Sequence, residues 1–153
     1  MSALKDQLHT DLTASMKARD ALRTSTLRMV LTAITNAEVS GKQVRELSDE
    51  DVVTVLGAEA KKRREAAQAF ADGDRPELAE KERAEAAILA EYLPAQLGTE
   101  EIAAIVTAAV ESAGAAGQGM KAMGQVMGIV SPQVKGRADG GAVAAEVKRQ
   151  INP

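Results

Sequence analysis

Cysteine and tryptophan are absent from this chain, and aromatic side chains are limited to Phe70 and Tyr92. Without thiols there is no disulfide framework and no thiolate nucleophile or metal ligand, a composition that suits a reducing cytoplasm. Histidine is reduced to His9, set between Leu8 and Thr10 on a predicted helix. One imidazole is too few for a zinc site, and a Ser-His-Asp triad would have to be built around it alone, so His9 reads as a surface residue. No apolar run is long enough to cross a bilayer, and the start Met1-Ser2-Ala3-Leu4-Lys5-Asp6 lacks a hydrophobic signal segment. A soluble cytoplasmic protein with no membrane partner is expected. Positive charge is not in excess either. The formal net charge of -3 over 153 residues excludes nucleic-acid binding by bulk basic character and leaves room only for a local basic site.

What is present is helical. Ala, Leu, Val, Ile and Met supply nearly all of the 45% apolar fraction, a composition of aliphatic helix packing. Leu4, Leu8, Leu12 and Met16 recur every four residues, and Leu27, Val30, Leu31 and Ile34 follow the i, i+3, i+4, i+7 rule, predicting two core-facing helices that meet near Ala18 to Asp20. The segment Ser40-Gly41-Lys42-Gln43 interrupts the pattern, and Ser48 before Asp49, Glu50 and Asp51 predicts an N-cap with acids at the positive helix end. Val53, Leu56, Ala60, Ala67 and Phe70 carry this third helix to Asp72-Gly73-Asp74, where Gly73 is expected to supply a left-handed stop. Pro76 opens a fourth helix with Leu78, Ile88, Leu89 and Tyr92 on its apolar side, which predicts a long hairpin.

Pro94 halts that helix, and beyond it the composition shifts to Ala, Gly, Val and Met. The boundary falls between Leu93 and Thr99, dividing the chain into an N-terminal helical domain, 1–94, and a small C-terminal module, 95–153. Thr99 is expected to cap a helix with Ile102, Ile105, Val106, Ala109 and Val110 on one stripe, ending at Gly114. Met120, Met123, Val126, Met127 and Val130 mark a second helix that ends near Ser131-Pro132, its Met stripe read as core, and Val143, Val147 and Ile151 mark a third. The fold class is therefore all-α, a long-helix bundle or hairpin followed by a three-helix module.

Three charged segments invite chemistry. Glu77, Glu80, Glu82 and Glu85 alternate with Lys81 and Arg83 at helical spacing, the pattern of a solvated face rather than of a general-acid pair. Lys61-Lys62-Arg63-Arg64 is a basic run, but consecutive helical residues point about 100° apart and encircle the helix. Lys61 and Arg64, three apart, can still share a face and meet an anion or an acidic partner. In Lys135-Gly136-Arg137-Ala138-Asp139-Gly140-Gly141, two cations flank a glycine ahead of an Asp able to cap the next helix. Two readings stay open there: a phosphate site at a helix N-terminus, or a tight inter-helix turn. No nucleophile–base–orienter set can be named, so no catalytic residue, metal or cofactor is assigned.

Gly119-Met120-Lys121-Ala122-Met123-Gly124-Gln125-Val126-Met127-Gly128, followed by Lys135-Gly136-Arg137-Ala138-Asp139-Gly140 and by Val143, Val147 and Lys148, resembles the GatB/YqeY family. These are small bacterial helical proteins related to the tail of GatB, the tRNA-handling subunit of the tRNA-dependent amidotransferase. Leu27-Arg28-Met29 and Glu91-Tyr92-Leu93-Pro94-Ala95-Gln96-Leu97 resemble the free-standing YqeY-type members, so the likeness covers essentially the whole chain. It implies a binding module, not an independent catalyst, with tRNA or another structured RNA as partner. The family's association with carbon–nitrogen ligation using glutamine as amide donor is inherited from the relatives of the tail and attaches to no residue here. Backbone contact to RNA would use Lys121, Lys135, Gly136, Arg137, Lys148 and Arg149, with no aromatic stacking available in this module. The alternative is a protein-interaction adaptor that uses the charged N-terminal hairpin with Lys61 and Arg64.

Overall fold

The computed structural model describes residues 2–152, and among them every regular element is helical. Seven α-helices follow in order: α1 (Ala3–Lys17), α2 (Ala21–Val39), α3 (Asp49–Asp72), α4 (Pro76–Ala90), α5 (Thr99–Ala113), α6 (Met123–Val134) and α7 (Gly140–Ile151), with a 3-10 turn at Gly119–Ala122 before α6. The all-α expectation therefore holds. The chain divides into two compact units, Met1–Leu93 and Pro94–Pro153.

In the N-terminal unit α1 pairs with α2 and α3 with α4. Leu8, Leu27, Val30, Leu31, Ile34, Leu47, Val52, Leu56, Ala60 and Leu89 form its core, and the face predicted on α2 is the face that is buried. The spacing on α1 does not persist. Each step of four residues turns the helix about 40° beyond a full circle. Leu8 is completely buried, Leu4 and Leu12 pack at the edge, and Met16 emerges to 43% exposure.

The helix ends show local chemistry at work. Ser48 accepts a hydrogen bond from Asp51 N–H while the Asp51 carboxylate accepts from Ser48 N–H, a reciprocal capping box. Asp49 serves another helix: its carboxylate accepts from Ser2 Oγ at 2.5 Å and from Leu4 N–H at 3.2 Å, at the start of α1. Those donors hold the Asp49 carboxyl below its usual range. At the far end of α3, the left-handed residue is Asp74 (φ +58°) and not Gly73, whose φ is −85°. Arg75 N–H closes back to Phe70 C=O at 2.7 Å, which puts the left-handed step one residue later than Gly73.

The C-terminal unit packs α5, α6 and α7 against one another around Val106, Val126, Val130, Val143, Val147 and Ile151, each fully buried. Gly98 occupies the N-cap of α5 in place of Thr99, which begins the helix. Gly114 closes α5 with φ +62°. The second helix runs past Ser131-Pro132 to Val134, with Pro132 tolerated inside its last turn. Nor is the Met stripe core: Met120 is 52% exposed, while Met123 and Met127 flank a centre of Val126, Val130 and Val134.

Candidate functional site

The Lys135–Gly141 segment is a turn that the unit uses to hold its own N-terminal end. Gly136 adopts φ +75°, where a side chain would be strained. Its carbonyl accepts from Gln96 Nε2 at 3.0 Å, and the Arg137 carbonyl accepts from Leu97 N–H at 2.8 Å. Arg137 lies half-buried and donates from Nε to the Ala95 carbonyl at 3.4 Å. The N-terminus of α7 is also occupied, because the Asp139 carboxylate accepts from Ala142 N–H at 3.2 Å. A negative side chain there competes with any anion for the same helix end. Of the two readings left open, these bonds favour the inter-helix turn.

The remaining cations separate into paired and unpaired. Arg149 donates from Nε and Nη2 to the two carboxylate oxygens of Glu146, and Gln150 donates to Glu146 as well. The Arg149 hydrogen bonds come first and those of Gln150 second in pulling the Glu146 carboxyl down to about 2. Arg149 stands in solvent over a Glu146 side chain that is 17% exposed, so its charge is neutralised without much gain in stability. Gln150 also donates to the Ala103 carbonyl of α5 at 3.1 Å, which turns this flank of α7 toward α5. Lys148 is one residue before Arg149 and points about 100° away from it.

Lys121, Lys135 and Lys148 are exposed and have no carboxylate partner among the described residues. They do not meet at a point. Lys121 stands before α6 and Lys135 closes it, roughly 20 Å apart by the helical rise. Between α6 and α7 runs a cleft of about 570 Å³, lined by Met127, Gly128, Pro132, Lys135, Gly140 and Val143 among others. Gly124 and Gly128 lie exposed on α6, one turn apart, and a Cβ built on either meets nothing within 4 Å. Packing within the chain does not require glycine at these two places.

In the N-terminal unit the basic run divides differently from its sequence pattern. Arg63 turns into the α3–α4 hairpin and faces three carboxylates: Glu59 at 3.6 Å, Glu82 at 3.5 Å and Glu85 at 3.8 Å. Arg63 Nε and Glu82 Oε2 are buried there without a hydrogen bond. The reading of Glu82 and Glu85 as a solvated face is therefore overturned, because α3 packs across them. Burial first, and the neighbouring Glu82 charge second, push the Glu85 carboxyl above its ordinary range. Lys61 and Arg64 remain on the exposed side of α3. His9 is exposed, as expected. Among the described residues no group of three or more His, Cys, Asp or Glu is arranged to hold a metal ion, and no helix is long and apolar enough to cross a membrane.

Comparison with known proteins adds three findings. The family model for Yqey-like proteins matches residues 5–151. An uncharacterized protein of Schizosaccharomyces pombe is 40% identical over 80 residues, covering 52% of this chain and 63% of that protein. The altered inheritance of mitochondria protein 41 of Pyrenophora tritici-repentis, named as mitochondrial, is 28% identical over 135 residues, covering 86% of this chain and 71% of that one. The chain thus spans less than two thirds of the length of the first of these relatives. Both are fungal, so such sequences are not confined to the bacterial setting implied by the resemblance.

Proposed function

Since the chain belongs to the YqeY-like family, we propose that it is an RNA-contacting accessory protein whose C-terminal unit, like the GatB tail it resembles, touches the phosphate backbone of tRNA or a similarly structured RNA. The observation that carries this reading is the set of three exposed lysines, Lys121, Lys135 and Lys148, that have no carboxylate partner among the described residues, in a unit whose other exposed cation, Arg149, is neutralised by Glu146. Their spread suits a backbone running across α6 better than one bound phosphate. The bare surface at Gly124 and Gly128 lets a ligand backbone approach that helix closely. In this reading Gly136 and Arg137 act by shaping the turn that presents Lys135. Carbon–nitrogen ligation is assigned to no residue of the chain.

A salt series of tRNA binding tests the proposal. Affinity should fall steeply with added salt, and replacing Lys121, Lys135 and Lys148 with Gln should lower the log–log slope by about one for each phosphate no longer neutralised. Arg149→Gln should change the slope much less. No binding at low salt, or a slope indifferent to the triple substitution, would sink the reading. A second reading, a protein adaptor, is favoured by the exposed charged side of α3 that bears Lys61 and Arg64. It predicts a partner whose capture is abolished by charge reversal at both positions while RNA binding is unchanged.

A further inference from the structure

The elbow between α1 and α2 holds a cleft that neither the core nor the RNA reading uses. One wall is a single face of α2, Ala21, Thr24, Ser25 and Arg28, at i, i+3, i+4, i+7 spacing; Met16 and Arg19 form the other, around a volume of about 390 Å³.

Arg19 is in an unexpected conformation for its residue type. Asp20 N–H donates to Ser15 C=O at 3.0 Å and Arg19 N–H to Met16 C=O at 3.1 Å, the double closure that places one residue in the left-handed region. That residue is Arg19, with φ +57°. The same closure after α3 falls on Asp74 and after α5 on Gly114. Glycine accepts the conformation freely and Asp better than most, whereas an arginine strains its Cβ. For the fold alone, glycine would serve at least as well at position 19.

The charges point the same way. Asp20, the nearest carboxylate in sequence, accepts from Arg23 N–H as the cap of α2 and lies 3.8 Å from the Arg23 guanidinium, which also reaches Glu91 at 2.7 Å. Arg19 and Arg28 are left with no carboxylate partner among the described residues. The Arg28 guanidinium donates to the Met16 sulfur at 3.2 Å, a weak acceptor that leaves its other N–H groups open. Two uncompensated guanidiniums thus share one cleft with the hydroxyl-bearing Thr24 and Ser25 and the apolar side chains of Met16 and Ala21.

We propose that this elbow binds a phosphate group, with Arg19 and Arg28 forking onto its oxygens. Two planar forks present four N–H donors, which one carboxylate accepts only by sharing each oxygen between both arginines, whereas a phosphate monoester spreads them over three terminal oxygens and carries more charge. The apolar side chains of Met16 and Ala21 suit the organic part of a phosphate ester. This site lies in the N-terminal unit and stands or falls separately from the lysines of the C-terminal unit.

The test is a titration of the full chain, followed by amide and arginine Nε–H NMR shifts, with inorganic phosphate, a nucleoside 5′-monophosphate and acetate. Saturable shifts confined to residues 16–28 are expected with both phosphate probes, and acetate should bind more weakly. A preference for the nucleotide assigns the ligand to esters, and equal affinities assign it to free phosphate; both support the site. Arg28→Gln should weaken phosphate binding roughly tenfold, the effect of removing one charge-assisted hydrogen bond. Arg19→Gly should do the same with no fall in Tm, a result that a merely structural arginine would not give. Arg83→Gln, on the exposed side of α4 and paired with Glu80, should bind as the natural chain does. Absence of a saturable shift with either phosphate probe overturns the proposal. So does unchanged binding in both Arg19→Gly and Arg28→Gln, or acetate binding as tightly as phosphate.

Discussion

Glu85 and Tyr92 are two side chains of the N-terminal unit whose acid–base behaviour is changed first of all by burial. Around Arg63 three carboxylates compete for one guanidinium, with Lys62 at 3.2 Å from Glu59 supplying partial relief. Because the Glu85 pKa is raised on folding, the folded chain holds that proton to higher pH than the unfolded chain does. Stability from this group is present at low pH and is lost as pH rises through the raised value. Glu85→Gln should therefore raise Tm at pH 8, with the gain shrinking toward pH 4. Melting curves at the two pH values check it; a less stable variant at pH 8 would contradict the account. Tyr92 O–H donates to Asp11 Oδ2 at 2.5 Å, and burial first, then Asp11, push the phenol up to about 12. The neutral phenol is the favoured form, so its contribution persists below pH 10 and is lost as pH rises toward 12. Tyr92→Phe should cost about 1.5–3 kcal/mol at pH 7, the range for a hydrogen bond to a charged group, and the difference from the natural chain should narrow above pH 10. Denaturant titrations from pH 7 to 11 measure this. Neither effect is legible locally, since Asp11 and Tyr92 are 81 residues apart and Glu85 is judged by a helix that precedes it.

Among the elements, α6 combines an ordinary core face with an unusual outer one. Val126, Val130 and Val134 anchor it, while Gly124 and Gly128 leave open backbone outside. A glycine inside a helix costs roughly 0.5–1 kcal/mol relative to alanine. Gly128→Ala should therefore stabilise the chain by about that amount in thermal unfolding and, if RNA backbone passes over α6, weaken tRNA binding at the same time. Greater stability with full RNA affinity would remove this helix from the proposed interface. The caps are the clearest case of sequence read directly as structure. Ser48 and Asp51 form the expected N-terminus of α3 because the bonds span only three residues, and Ser48→Ala should cost about 1 kcal/mol in chemical denaturation. The α1 pattern is less informative, as a strict four-residue repeat drifts off the helix face and carries Met16 out of the core. The Met stripe on α6 misleads for a related reason: apolar character marks the flank, and smaller valines fill the tightly packed centre.

For the whole molecule, each unit has its own hydrophobic centre. One cluster draws on residues from Leu4 to Leu93 and the other on residues from Leu97 to Ile151. A chain beginning at Pro94 should accordingly give a helical circular dichroism spectrum and a cooperative melt, with a modest Tm because a unit of about 60 residues buries a limited share of its surface. A random-coil spectrum would show that this core does not suffice alone. The amino-acid sequence by itself determined the all-helical class, the order of the helices, the buried face of α2, the start of α3 and the resemblance to the family, since periodicity, capping and motif spacing act over a few residues. It also marked Lys121, Lys135 and Lys148 as candidates. Whereas the Asp139 cap and the Glu146–Arg149 pair each span only three residues, tertiary structure alone decided that Arg137 is taken up by the turn at Ala95 and that Glu82 and Glu85 are sheltered with Arg63. Only there do Arg19 and Arg28 share a cleft without a carboxylate. Whether a charge is free depends on which side chain or carbonyl the folded chain brings to it.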